Sequence, residues 1–151
     1  MIIKRINQDR QKYLPLLLLA DEQEDMIALY LDRGEMFALF DPDLRAVCIV
    51  TDEKDGVAEL QNIAVDPAFQ RRGYGKALVS FLLARCGGRY SAMVAGTGDS
   101  AMTIAFYLSC GFYESHREKN YFISRYDHPI FEAGKQLIDR VVFRKDFFPM
   151  P

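Results

Sequence analysis

Glu59-Leu-Gln-Asn-Ile-Ala-Val-Asp-Pro-Ala-Phe-Gln-Arg-Arg-Gly-Tyr-Gly-Lys76 is the stretch that decides how this chain is built. It reads as a buried strand, a short turn at Asp66-Pro67, and a glycine-spaced loop running straight into a helix. Gln70, Arg71, Arg72, Gly73, Tyr74, Gly75 and Lys76 set a row of backbone N–H groups beside cationic side chains where that helix begins. Unpaired amides and the positive end of the helix dipole both favour an anion, and glycines let the backbone approach it closely. The loop therefore reads as a phosphate cradle. It is not a Walker loop, because Phe69 or Gln70 stands where the first glycine is required and Ala77 follows Lys76. Nor is it a dinucleotide fingerprint, whose third glycine would fall at Leu78.

The strand before the loop has a fault in its alternation. Strict period two puts Ile63 and Val65 on one face with Glu59 and Gln61, and Leu60 on the other with Asn62. One extra residue at Gln61–Asn62, a β-bulge, would bring Leu60, Ile63 and Val65 to the same side. A strand buried on both faces explains the pattern equally well. Around it, Ile2 to Ile6, Met36 to Phe40, Arg45 to Thr51 and Val57 to Val65 read as strands, the last three joined by polar turns into an antiparallel meander. Asp9 and Asp21 are candidate helix caps, with Met26, Ile27, Tyr30 and Leu31 on one helical face. The helix from Gly73 to Cys86 and the strand from Arg89 to Ala95 form a crossover, so the sheet is mixed. A helix from Ala101 to Ser109 would face inward through Ala101, Ile104, Ala105 and Leu108, and strands are expected at 112–124 and 137–144. With no repeat or linker, residues 1–151 are expected to be one domain.

Bulk properties exclude several classes. A formal net charge of −2 gives no basic footprint for nucleic acid. No apolar run reaches the roughly 20 residues that span a membrane, and the N-terminal residues lack a signal-peptide pattern. Cys48, Cys86 and Cys110 are odd in number and far apart, as are His116 and His128, which fits neither a disulfide frame nor a metal site. A cytoplasmic protein without a metal is expected.

The loop, preceded by Asn62-Ile-Ala-Val-Asp-Pro67 and followed by Phe106-Tyr-Leu-Ser-Cys-Gly-Phe112, resembles the Gln/Arg-x-x-Gly-x-Gly/Ala signature of the GNAT acetyltransferases. The resemblance is strong from Val57 to Phe112 and rests on element order at the two ends. It implies an α/β fold: a mixed, mostly antiparallel sheet of six to seven strands, splayed at the fourth and fifth, flanked by about four helices. It implies acetyl-CoA as cosubstrate, with Gln70 to Lys76 on the pyrophosphate. Ile63, Ala64 and Val65 would pair with pantetheine and meet the oxyanion through backbone N–H groups, which favours the bulge. Tyr107 matches the tyrosine that donates a proton to the CoA sulfur, and Glu59 the strand carboxylate that takes the amine's proton, often through water. Ser100 stands where many members carry an Asn touching the CoA chain, with Asp99 beside it as a helix cap. The ends resemble a bacterial branch of small GNAT proteins that names no substrate.

The implied reaction is direct transfer of acetyl to a primary amine of a small molecule or peptide in a ternary complex. The alternative is a catalytically inactive CoA-binding sensor or interaction module. Tyr30, Phe37 and Tyr121 are candidate acceptor-binding residues, joined by Tyr126 and Phe131 if these aromatics line a pocket rather than the core. The acidic run Glu22, Glu24 and Asp25 reads either as a solvated helix start or as a rim that attracts an amine. A homodimer is left open.

Overall fold

The centres of Glu35–Phe40 and Leu44–Asp52 are apolar at every position, so helices must cover both faces of the sheet they form. A computed structural model describes residues 1–147 and satisfies that demand. Strand β1 (Ile2–Ile6) opens the chain, and a 3-10 turn leads into α1 (Leu14–Ala20) and α2 (Glu24–Ala28). Strands β2 (Glu35–Phe40), β3 (Leu44–Asp52) and β4 (Val57–Val65) follow, then α3 (Tyr74–Cys86), β5 (Ala92–Gly98), α4 (Ala101–Ser109), β6 (Tyr113–Glu118) and α5 (Tyr121–Arg125). A small hairpin of β7 (Phe131–Glu132) and β8 (Lys135–Gln136) precedes β9 (Arg140–Asp146). The seven-stranded sheet has the order β1-β2-β3-β4-β5-β9-β6, and only β4–β5 is parallel. Met36, Ala38, Val47 and Ile49 pack under α1 and α2 with Leu17 and Ile27. Phe37, Leu39, Cys48, Val50 and Leu60 pack under α3 with Leu78 and Leu82. Among the described residues no helix is long and apolar enough to cross a membrane.

Two irregularities in β4 create the space for chemistry. Ile49 faces Asn62 but Val50 faces Leu60, so Gln61 is the inserted residue of a bulge. Leu60, Ile63 and Val65 consequently share the α3 face, while Ala64 lies on the α1 face. The parallel pairing of β4 with β5 runs from Val57–Ala92 to Leu60–Ala95 and stops there, although β4 continues along β3 to Val65. Beyond Leu60 the two central strands part, and a cleft opens between them.

The ends of the chain differ from the sequence pattern. The expected strand over 112–124 is β6 followed by helix α5, and the last strand is β9 at Arg140–Asp146, inserted between β5 and β6. Its extent follows Val141, Val142 and Phe143, which are buried from both faces. Five α-helices flank the sheet among the described residues, close to the four or so expected. Neither Asp9 nor Asp21 makes a side-chain cap, and Gln23 precedes α2, which is too short to include Tyr30 and Leu31. In α4, Ala101, Ala105 and Leu108 face outward, and Tyr107 is the buried residue. The packing partner there is an aromatic cluster of Phe112 and Phe143, which an aromatic ring fills better than small aliphatics.

Candidate active site

The cleft has a volume of about 870 Å³ and runs from the Gln70–Lys76 loop, past the β4–β5 gap, to α1, α2 and α5. At the loop end, Asp66 caps a 3-10 turn by accepting from the Ala68 N–H at 3.0 Å, and the Gln70 side chain ties back to the Val65 carbonyl at 3.3 Å. Arg71 and Gly73 both take left-handed conformations, φ 63° and 86°. Left-handed residues can gather successive amides into an anion-binding concavity, and no N–H from Arg71 to Lys76 donates to a backbone carbonyl. Arg71 and Lys76 line the cleft. Arg72 turns away and lies 5.1 Å from the Phe69 ring centroid, on which Arg45 also stacks. The two glycines serve different ends: Gly73 supplies the left-handed turn, whereas a Cβ on Gly75 would sit 3.2 Å from the Phe106 ring. Tyr74 lines the cleft and donates to Asp41 at 2.8 Å.

From the loop, the free edge of β4 leads inward. The Asp66 N–H donates to Arg45 of β3, so by alternation the N–H groups of Val65 and Ile63 point the other way, into the gap. Ala64 points its N–H at β3 and contributes only a wall. Such an edge, with its partner strand gone, can pair with an extended amide chain as a strand would. Ser100 lies 7% exposed, outside the cleft wall, and does not cap α4. Asp99 is no cap either: hydrogen bonding from Arg117 and the charges of Arg117 and Lys135 hold its carboxyl below the usual range.

Tyr107 lines the cleft where the strands part. Its ring stacks on Phe143 at 5.4 Å and meets Phe106 and Phe112 edge-on, so the phenol has one orientation. Burial pushes its pKa above that of an ordinary phenol, and it stays a proton donor across neutral pH. Glu59 stands on β4 one residue before the gap, with one oxygen accepting from Arg140 at 2.8 Å and the other without a donor among the described residues. Burial pushes its carboxyl up, and the nearby Arg140 charge opposes this without cancelling it. Arg140 is the residue that sequence reasoning missed. It crosses β5 over Gly96, where a Cβ would fall 1.8 Å from its Nε, and also pairs with Glu118. The alternating Gly96-Thr-Gly98 was the available signal, a strand too bare on one face unless something large lies across it.

The far end of the cleft is assembled from distant parts of the chain. Asp21 accepts from the Tyr30 hydroxyl at 2.9 Å and from the Tyr126 hydroxyl at 2.7 Å. Asn62 donates from β4 to the Tyr30 oxygen and to the Leu17 carbonyl, each at 3.0 Å. Tyr30 and Tyr121 line this end together with Tyr126 and Phe131. Phe37 does not: it is 2% exposed and packs edge-on against Phe81 in the core beneath α3. Tyr121 carries the guanidiniums of Arg125 and Arg140 near its ring, at 4.8 and 5.1 Å.

Comparison with known proteins agrees with this geometry. Residues 19–114 match the family model "Acetyltransferase (GNAT) domain". The chain is 34% identical over 129 residues to the uncharacterized N-acetyltransferase YvbK of Bacillus subtilis, covering 83% of each chain. It is 34% identical over 120 residues to the ribosomal protein bS18-alanine N-acetyltransferase of Salmonella typhimurium, covering 78% of this chain and 67% of that one. A Bacillus subtilis acetyltransferase solved in complex with CoA superposes with a TM-score of 0.89 at 30% identity, over 97% of this chain and 98% of that one. The parted strands, the loop that ends them and these relatives place the chain in one family: it belongs to the GNAT acetyltransferases, and its class is that of an N-acetyltransferase.

Proposed function

We propose that the protein transfers an acetyl group directly from acetyl-CoA to a primary amine, borne by a small molecule or a peptide, with both substrates in the cleft at once. The observation that carries this reading is the edge of β4 left unpaired beyond Leu60, in a cleft that the Gln70–Lys76 loop and Tyr107 both line. Acetyl-CoA supplies the thioester whose acyl carbon accepts the amine. The amides of Arg71 to Lys76, with the Arg71 and Lys76 charges, suit the pyrophosphate. The N–H groups of Ile63 and Val65 suit pantetheine amides and the acyl oxygen. Tyr107 donates its hydroxyl proton to the departing sulfur, a role that a neutral, held phenol fills well. Glu59 takes the ammonium proton through a water at its free oxygen, while Arg140 fixes the other oxygen. No cysteine lines the cleft, which favours direct attack over an acyl-enzyme.

The test is release of free thiol from acetyl-CoA against a panel of primary amines, run beside calorimetry of acetyl-CoA binding. Acetyl-CoA binding together with amine-dependent thiol release is the expected result. Tight binding with no amine-dependent release would favour a CoA-binding sensor, and absence of binding would overturn the cofactor assignment.

A further inference from the structure

Asn62 holds the one buried side-chain polar atom without a hydrogen-bond partner among the described residues, its Oδ1. The side chain is 4% exposed and forms part of the cleft wall. Its orientation is settled by chemistry: the Leu17 carbonyl and the Tyr30 oxygen, which already gives its proton to Asp21, both require the amide nitrogen. The carbonyl oxygen is thereby presented as an acceptor with nothing donating to it. An orphaned buried acceptor costs free energy in the unliganded fold, which a donor arriving at it would recover.

The surroundings specify the donor's charge. Asp21 is a carboxylate held only by two neutral phenols, and burial keeps Tyr30 and Tyr126 protonated. The two arginines on this half of the cleft are already engaged, Arg33 with Glu53, and Arg140 with Glu59 and Glu118. Glu22 and Glu132 add two more carboxylates to the same wall, and burial with the Glu22 charge pushes the Glu132 carboxyl up. The mouth beyond them is apolar, with Leu19, Leu29 and Phe131 all more than half exposed.

We propose that Asn62 Oδ1 and Asp21 form the ammonium subsite for the acceptor, and that the acceptor is a cationic primary amine with an apolar body, without a carboxylate near its nitrogen. This rests on the acetyltransferase reading and names the substrate class within it. The ammonium donates one N–H to Asn62 Oδ1, and the Asp21 charge balances it through the same wall. The apolar body lies along Leu19, Leu29 and Phe131. An α-carboxylate would face Asp21, Glu22 and Glu132, while among the described residues both arginines that line this end already hold carboxylates and Arg125, over the Tyr121 ring, stands outside the lining.

The probes are 2-phenylethylamine and L-phenylalanine, which share the ring and the amine and differ by one carboxylate. With acetyl-CoA saturating, 2-phenylethylamine should be acetylated with a kcat/KM at least about 100-fold above that of L-phenylalanine, the scale of a buried like-charge mismatch. Asn62→Leu should raise the KM for 2-phenylethylamine by about 10- to 100-fold, as loss of a hydrogen bond to a charged group does. The dissociation constant of acetyl-CoA should not move, which a general loosening of β4 would not allow. Asp21→Asn keeps the shape and an acceptor for one phenol, and serves where Asn62→Leu does not fold. It should raise the same KM by about 10-fold. Equal use of the two probes, or an amine KM indifferent to Asp21→Asn, overturns the subsite alone. Failure of the wild-type protein to bind acetyl-CoA overturns the acetyltransferase reading beneath it.

Discussion

The two ends of the cleft are made in opposite ways. At the loop end, the six consecutive residues Arg71 to Lys76 present main-chain N–H groups with no backbone acceptor. At the acceptor end, the polar groups come from Asp21, Tyr30, Asn62 and Tyr126, up to 105 positions apart, and every one is a side chain. A diphosphate is the same in every member of a family, so one backbone loop can serve it indefinitely. An acceptor differs from member to member, and side chains gathered from separate elements can change without disturbing the fold.

Substitutions at the junction of the ends probe this contrast most severely. Tyr107→Phe keeps the ring and its stack on Phe143 while removing the donor. Turnover should fall by about 10²- to 10⁴-fold with the acetyl-CoA dissociation constant unchanged. Calorimetry beside steady-state rates checks this, and near-wild-type turnover would remove Tyr107 from the chemistry. Glu59→Gln tests the other side of the junction. If Glu59 takes the ammonium proton, turnover should drop by up to about 10²-fold below neutral pH, where free amine is scarce. The loss should shrink as pH rises and the acceptor arrives deprotonated. A loss independent of pH would make Glu59 only the anchor of Arg140.

The smallest effects sharpen the backbone side of the contrast. Gly73→Val forces a β-branched residue to φ 86°, at a cost of about 1–3 kcal/mol that the loop relieves by moving. Acetyl-CoA affinity should weaken by about 10- to 100-fold, measured by calorimetry on a protein whose melting is cooperative. Arg71→Ala leaves the amides in place and removes one partly exposed charge, so the loss should be nearer about 10-fold and shrink in high salt. If Arg71→Ala weakens binding more than Gly73→Val, the loop holds its ligand by charge and not by main chain.

The same division explains what could be read in the sequence. The loop was legible because its residues are adjacent and its glycine spacing has a local cause. The bulge at Gln61 was legible because one inserted residue breaks a period of two. Tyr30 and Tyr121 were legible only as aromatics, and Phe37 with them. All three look alike as a string, and only the register of β2 sends Phe37 toward α3 and into the core. Asp21 resembled a helix cap because a cap and a phenol acceptor use the same oxygen, and α2 starts too late to need it. Arg140 carried no mark in its own neighbourhood, since its position depends on its side chain lying across Gly96, 44 residues earlier on the paired strand β5 and two positions from its partner Gly98.

That last strand has a consequence for how the protein comes to exist. Strand β9 enters the sheet between β5 and the edge strand β6, and brings Arg140 with it. Everything N-terminal of it, including the phosphate loop, Tyr107 and Asn62, leaves the ribosome first. Until Arg140 to Asp146 are synthesised, β5 has a bare edge, Gly96 faces an empty groove and Glu59 has no guanidinium to hold it. Such an edge is open to other chains as well as to its own β9. The Gln70–Lys76 loop is thus made well before the segment that supplies Arg140, and the Glu59–Arg140 pair can form only once β9 has been made.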